Sequence, residues 1–156
     1  MKGKFYLAYG SNLNVEQMRW RCPTAEVVST GHIHDYQLLF KGSKTGAYLT
    51  IEQKKGSSVP VAVWRVHDAD VVSLDYYEGF PKFYYKKDFK IFCADGRWRN
   101  CFAYIMHEER DIGIPSNAYV NTCVSGYKSF GFPIDNLQHA LDISIIKVNQ
   151  RNGGVA

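Results

Sequence analysis

Two short stretches carry residue types whose spacing could do chemistry. The first is Tyr9-Gly10-Ser11-Asn12. A glycine there removes the Cβ and lets backbone N–H groups converge ahead of a helix, an arrangement that binds anions. Ser11 and Asn12 add a hydroxyl and an amide, so the turn could hold a carboxylate and donate to a carbonyl oxygen that gains negative charge. The second is Leu74-Asp75-Tyr76-Tyr77-Glu78-Gly79-Phe80-Pro81. Glu78 ends a helix there, against aromatic rings. Both neighbours disfavour its ionised form and lift it above the ordinary value of about 4.3, toward general-base range. Taken singly, each stretch is ordinary, because Gly-Ser-Asn is common turn composition and most glutamates are solvated. Asp75 stands one helical turn before Glu78, and spacing alone does not choose between them.

Other chemistries find less support. The histidines, at 32, 34, 67, 107 and 139, form no His-Glu-x-x-His pattern, and His32 and His34 share a strand face without a third ligand. The cysteines at 22, 93, 101 and 123 make no Cys-x-x-Cys pair and sit in no nucleophile signature, so neither zinc nor a Cys-His nucleophile is expected. No glycine-rich segment ends in the Lys-Ser/Thr of a phosphate loop. Two acids on one helix do not supply the two-sided geometry of a glycosidase.

The elements that must position these residues follow from patterning. Phe5 to Tyr9 reads as a buried strand, and Asn14, with Gln17 three residues on, caps a short helix that Pro23 stops. Val27, Val28, Ile33, Tyr36, Leu38 and Phe40 suggest two short strands broken near His34-Asp35, followed by a loop holding Gly42, Ser43 and Gly46. Ala47–Gln53 and Pro60–His67 read as a hairpin around Lys55-Gly56-Ser57-Ser58. Asp68 can cap a helix ending at Glu78, where Gly79 and Pro81 give C-terminal punctuation. Tyr84–Cys93 and Arg97–His107 form a second hairpin around Ala94-Asp95-Gly96. Tyr119, Val120, Cys123, Val124 and Tyr127 are helically spaced after Pro115-Ser116, and Asp135 caps a last helix with Leu137, Leu141 and Ile145. Strands in the middle with helices between and after them argue an α+β fold with a curved or barrel-like antiparallel sheet.

A chain of 156 residues fits one domain, here 1–150 with a frayed tail at 151–156, and is long enough to bury a core without staples. Eleven tyrosines supply core volume and hydroxyl donors together. A net charge of +4 without a long basic run argues against nucleic acid, although it favours the approach of small anions. No segment is long enough to span a membrane, and the sparse cysteines and unremarkable N-terminus read as cytoplasmic with reduced thiols. Oligomeric state stays open.

Taken together and in order, Phe5–Leu13 (FYLAYGSNL), Ser73–Pro81 (SLDYYEGFP) followed by Tyr84, Tyr104 in FAYIM, and Pro115–Tyr119 (PSNAY) resemble the γ-glutamylcyclotransferase-like family. That family includes γ-glutamylcyclotransferases, γ-glutamylamine cyclotransferases, bacterial deprotecting enzymes of aminoglycoside synthesis and plant avirulence-induced-gene relatives. The resemblance spans roughly residues 5–140, nearly the whole chain. It implies a small mixed, mostly antiparallel β-barrel with flanking helices and a pocket at Tyr9, Gly10, Ser11 and Asn12. It places the family's catalytic glutamate on Glu78 and a neighbouring, more structural acid on Asp75. It adds Tyr104 and Tyr119 as pocket hydroxyls, with Tyr84 in support.

The implied reaction cyclises a small-molecule γ-glutamyl substrate. Its α-amine attacks its own γ-carbonyl, 5-oxoproline forms, and an amine or amino acid leaves, with neither cofactor nor metal. The short segment between Gly42 and Gly46 and the Phe80-Pro81-Lys82-Phe83 variant leave the departing group open. A non-catalytic module of the same fold that only binds a γ-glutamyl or other carboxylated ligand is the competing expectation.

Overall fold

The computed structural model describes residues 3–43 and 46–153. Chain order is β1 (Lys4–Ala8), a 3₁₀ turn (Ser11–Leu13), α1 (Val15–Arg21), β2 (Glu26–Ser43), β3 (Gly46–Val66), α2 (Asp68–Glu78), β4 (Tyr84–Phe92), β5 (Trp98–Met106), β6 (Asp111–Ile112), α3 (Asn117–Ser129) and α4 (Asp135–Gly153). The strands form one sheet in the order β4-β5-β1-β3-β2-β6. Every pairing is antiparallel except β1 with β5, where Tyr6 faces Phe102. The result is an α+β fold built on a curled half-barrel, its inner face filled by Leu7, Leu13, Met18, Ile51, Val59 and Leu74, each fully buried.

The middle of the chain differs from the sequence expectation. One long hairpin of β2 and β3 replaces four short strands, pairing from Glu26 with Arg65 to Ser43 with Gly46. Both expected breaks fall on the same irregularity. Tyr36 pairs with Gln53 and His34 with Ser58, so residues 54–57 face Asp35 alone. Asp35 takes a left-handed φ of 62° and accepts the Gly56 N–H at 2.9 Å. Turn-forming residues here bend a continuous ladder instead of ending it, which is how a bulge adds curl to a sheet.

The helix starts and stops follow local chemistry. Asn14 caps α1 by accepting the Gln17 N–H at 3.1 Å, and Ser116 caps α3 through Tyr119 N–H at 3.1 Å. For α2 the expected cap, Asp68, is already the first helical residue; the cap is His67, whose N–H is taken by the Asp70 carboxylate at 2.9 Å. The helix closes at Gly79, φ 65°, with Gly79 N–H to the Tyr76 carbonyl and Phe80 N–H to the Asp75 carbonyl. A side chain at Gly79 would be strained in that left-handed geometry, so glycine fixes Glu78 as the last helical residue. At the other end of the chain, α4 continues through residues 151–153, where Arg151 donates to the Ile112 carbonyl at 2.5 Å; residues 154–156 of the expected frayed tail lie outside the described ones.

Candidate active site

β1 is an interior strand, flanked by β3 and β5, and its C-terminal end delivers the Tyr9–Asn12 turn to one end of the half-barrel. Two long-range bonds hold the turn. Tyr9 Oη donates to the Tyr104 carbonyl at 2.5 Å, and Tyr127 Oη on α3 donates to the Tyr9 carbonyl at 2.8 Å. Gly10 has φ −126°, so glycine is not required there by a left-handed backbone. The sequence expects a helix directly after the turn, yet a 3₁₀ turn comes first; the helix that follows is capped by Asn14, as expected. No hydrogen bond from the Gly10 or Ser11 N–H is found among the described residues.

α3 approaches this turn closely because of Gly126. A Cβ at that position would stand 2.6 Å from the Leu13 carbonyl carbon and 2.8 Å from the Asn14 nitrogen. Tyr9, Gly10, Ser11, Asn12 and Glu78 then meet around a cavity of about 440 Å³, within the usual range of small-molecule sites. Tyr6, Tyr48, Leu49, Tyr77, Phe83, Tyr84, Tyr104 and Tyr119 complete most of its wall.

Glu78 faces Asn12, whose Nδ2 lies 3.4 Å from Glu78 Oε1 and 2.8 Å from Tyr6 Oη. The Glu78 side chain is half-buried, opening on the cavity while rings enclose the rest. Burial pushes its carboxyl up to about 7, and the Arg21 guanidinium pulls in the opposite direction. Asp75 is held differently: Tyr104 Oη donates to it at 2.6 Å and Lys86 Nζ approaches to 2.8 Å. The two acids that spacing could not separate are thus separated by surroundings, Asp75 in a polar cluster and Glu78 against the cavity.

The tyrosine hydroxyls are not equivalent. Tyr84 Oη donates to the Leu49 carbonyl at 2.8 Å, and the Tyr104 proton goes to Asp75. Tyr119 Oη instead accepts from the Leu49 N–H at 3.0 Å, so its own proton is not committed to the main chain, with the Cys123 thiol one turn along α3 as its side-chain neighbour. It also faces the turn, 3.5 Å from where a Cβ on Gly10 would be. Burial, reinforced by the Glu78 charge, holds Tyr6, Tyr9, Tyr84 and Tyr119 well above the usual phenol range, so all four stay neutral donors.

Nucleophilic sulfur fits poorly, since burial pushes the thiols of Cys22, Cys101 and Cys123 up to about 12. His32 and His34 stack at 6.2 Å, and no group of three or more His, Cys, Asp or Glu side chains that could hold a metal occurs among the described residues.

A family model described as gamma-glutamyl cyclotransferase, AIG2-like matches residues 6–121. The chain belongs to that family. It is similar to the human protein Gamma-glutamylcyclotransferase, 30% identical over 97% of this chain and 82% of the relative. A bovine protein of the same name matches at the same identity and the same coverage. A solved structure described as a gamma-glutamyl cyclotransferase superposes with a TM-score of 0.79 at 29% identity, over 90% of this chain and 87% of the other.

Within this cyclotransferase-family pocket, several residues escape sequence reasoning. Tyr6 and Tyr77 lie inside the two diagnostic segments, but nothing local marks them as cavity walls. Arg21 leaves one trace, its place four residues after Gln17 on a helix, where the two side chains meet at 2.5 Å. Gly126 and Tyr127 leave none, because what they touch is more than a hundred residues away.

Proposed function

We propose that the chain is a γ-glutamyl cyclotransferase, converting a γ-glutamyl compound into 5-oxoproline and a free amine or amino acid. The observation that carries this reading is Glu78, a carboxyl raised to about 7 at the wall of a cavity also lined by Gly10 and Ser11, whose N–H groups make no hydrogen bond among the described residues. A group with that pKa can take a proton and give it back near neutrality.

In this reading the Gly10 and Ser11 N–H groups hold the substrate α-carboxylate and fix the glutamyl chain. The α-ammonium, not a nucleophile while protonated, passes a proton to Glu78. Its lone pair then attacks the γ-carbonyl carbon of the same molecule, an intramolecular step favoured by the restrained geometry. A carbon–nitrogen bond forms and negative charge moves to the carbonyl oxygen, where the Tyr119 hydroxyl is suited to donate. When the oxyanion collapses, the bond to the leaving nitrogen breaks as Glu78 returns its proton there. The regenerated Glu78 carboxylate then takes the surplus proton from the ring nitrogen and passes it to the departing amine, which leaves as the ammonium. The balance consumes no water and needs no redox or group-carrying cofactor.

The test is direct. Purified protein is incubated with a panel of γ-glutamyl amino acids and γ-glutamyl amines, and 5-oxoproline is measured for wild type and Glu78→Gln. Product from the wild type alone supports the reading. Turnover surviving in Glu78→Gln overturns the assignment of the base, and absence of product from every panel member leaves a binding module instead.

A further inference from the structure

Arg21 does not line the cavity, yet two of its contacts tie it to residues that do, and a third fixes it to Gln17 on its own helix. Its Nη1 donates to Asn12 Oδ1, its Nη2 donates to Gln17 Oε1 at 2.5 Å, and its guanidinium carbon lies 3.5 Å from the Tyr77 ring centroid. Tyr77 in turn has its hydroxyl 3.4 Å from Ser11 Oγ. One planar cation therefore holds the turn and the end of α2 at once.

We infer that Arg21 is a positioning residue of the site, fixing which way the Asn12 amide faces and holding Tyr77 against the turn. An asparagine amide can sit in two flipped orientations of almost identical shape. Here one is closed off. With Arg21 donating to Oδ1, the Asn12 amino group must point to Tyr6 Oη at 2.8 Å and to Glu78 Oε1 at 3.4 Å. Flipping it would set amino hydrogens against guanidinium hydrogens and the amide oxygen against the Glu78 carboxylate. Arg21 thus supplies Glu78 with a donor that stabilises the ionised form, and adds its own positive charge from the same side. Lysine could replace the charge but neither the planar fork nor the stacking on Tyr77.

The inference rests on Glu78 acting as the proposed base, so the test reads Glu78 with and without turnover. Titratable groups facing Glu78 are Tyr6 from β1, Tyr9 from the turn that follows it, Tyr84 from β4, Tyr104 from β5 and Tyr119 from α3, together with Arg21 from α1. Those tyrosines stay neutral through the range of interest, and Asp75 on α2 is paired with Lys86 at 2.8 Å. A shift of the Glu78 titration on changing Arg21 is therefore attributable to Arg21.

The experiment compares wild type, Arg21→Gln and Arg21→Lys. Glu78 is titrated by carbon NMR with carboxyl-labelled glutamate, its signal assigned by its loss in Glu78→Gln, and 5-oxoproline release is measured alongside. Arg21→Gln is expected to move the Glu78 titration upward by roughly one unit, at the low end of what a nearby opposite charge does, and to lower kcat about tenfold. Arg21→Lys is expected to leave the titration close to wild type and still lose several-fold in kcat, because charge returns without the fork. An unmoved titration in Arg21→Gln overturns the inference. If Arg21→Gln fails to fold, wild-type kcat in Arg21→Lys overturns it. Absence of 5-oxoproline from wild type sinks the proposed reaction instead, while the titration still reports on Arg21.

Discussion

Asn12 and Glu78, 66 residues apart in the chain, meet across the cavity with Nδ2 3.4 Å from Oε1. The contact joins the end of β1 to the end of α2, and each partner is fixed by a different local rule. Asn12 sits in a 3₁₀ turn braced by α3, whereas Glu78 is stopped at a left-handed Gly79. The pair is long enough to leave Glu78 mostly governed by burial and close enough to orient its carboxylate.

Replacing Glu78 with glutamine keeps the shape and an oxygen acceptor for Asn12 but removes the group proposed as the proton shuttle. The expected result is a fall in kcat of roughly 10²- to 10⁴-fold, the usual worth of a positioned acid–base group. Binding of 5-oxoproline or of a substrate should be little changed, as isothermal titration calorimetry would show. Loss of binding in parallel with activity would mean that Glu78 anchors the ligand instead.

A carboxyl raised to about 7 also makes a statement about pH. As a base Glu78 must be ionised, so kcat/KM should fall about tenfold per unit below roughly pH 7. Stability runs the other way. The folded pKa lies above the unfolded value near 4.3, so between the two the folded state binds more protons than the unfolded one. The stability associated with protonated Glu78 is full below pH 4.3 and is lost as pH rises through 7. Glu78→Gln should therefore be more stable than wild type at pH 8, by about 2 kcal/mol once the opening to solvent is allowed for, with the difference vanishing near pH 4. Denaturant unfolding of both proteins across that range measures it.

What the sequence made readable was local chemistry. Asn14 with Gln17, Gly79 after Glu78, and Asp95-Gly96 between aromatic strands each write a cap or turn within a few residues, and the structure contains all three. Lys55-Gly56-Ser57-Ser58 misled, because turn composition serves a bulge inside a ladder as well as a hairpin end, and the choice depends on Asp35 across the sheet. The site divides in the same way. Tyr9–Asn12 and Glu78 were legible from type and punctuation, while Tyr6, Arg21, Gly126 and Tyr127 owe their place to contacts that exist only after folding.

The two hydroxyls on either side of Leu49 permit a paired test. Tyr119→Phe keeps the ring that meets Tyr48 at 5.2 Å but removes the oxygen that accepts the Leu49 N–H. It should cost about 1–3 kcal/mol for a buried donor left unpaired, and lower kcat roughly 10- to 100-fold if its proton serves the oxyanion. Tyr84→Phe removes a hydroxyl whose proton already belongs to the Leu49 carbonyl, so stability should drop similarly with kcat changed only a few-fold. Steady-state kinetics and thermal melts on both variants decide. Equal kinetic losses would assign Tyr119 a purely structural part.

Gly126→Ala sets helix propensity against packing. In the interior of α3, alanine alone should stabilise by up to about 1 kcal/mol. The added methyl, however, would meet the Leu13 carbonyl carbon at 2.6 Å and the Asn14 nitrogen at 2.8 Å, both main-chain atoms that move only if the turn moves. Overpacking against backbone should win, for a net loss of about 1–3 kcal/mol. The turn's shift should also carry the Gly10 and Ser11 amides off their positions and lower kcat/KM by roughly tenfold or more. Tyr127→Phe separates the two consequences. It removes the hydrogen bond to the Tyr9 carbonyl without pushing on Leu13, so it should lose comparable stability with a smaller kinetic effect. A Gly126→Ala protein as stable and as active as wild type would show that α3 can stand off from the turn, and that the turn is held without it.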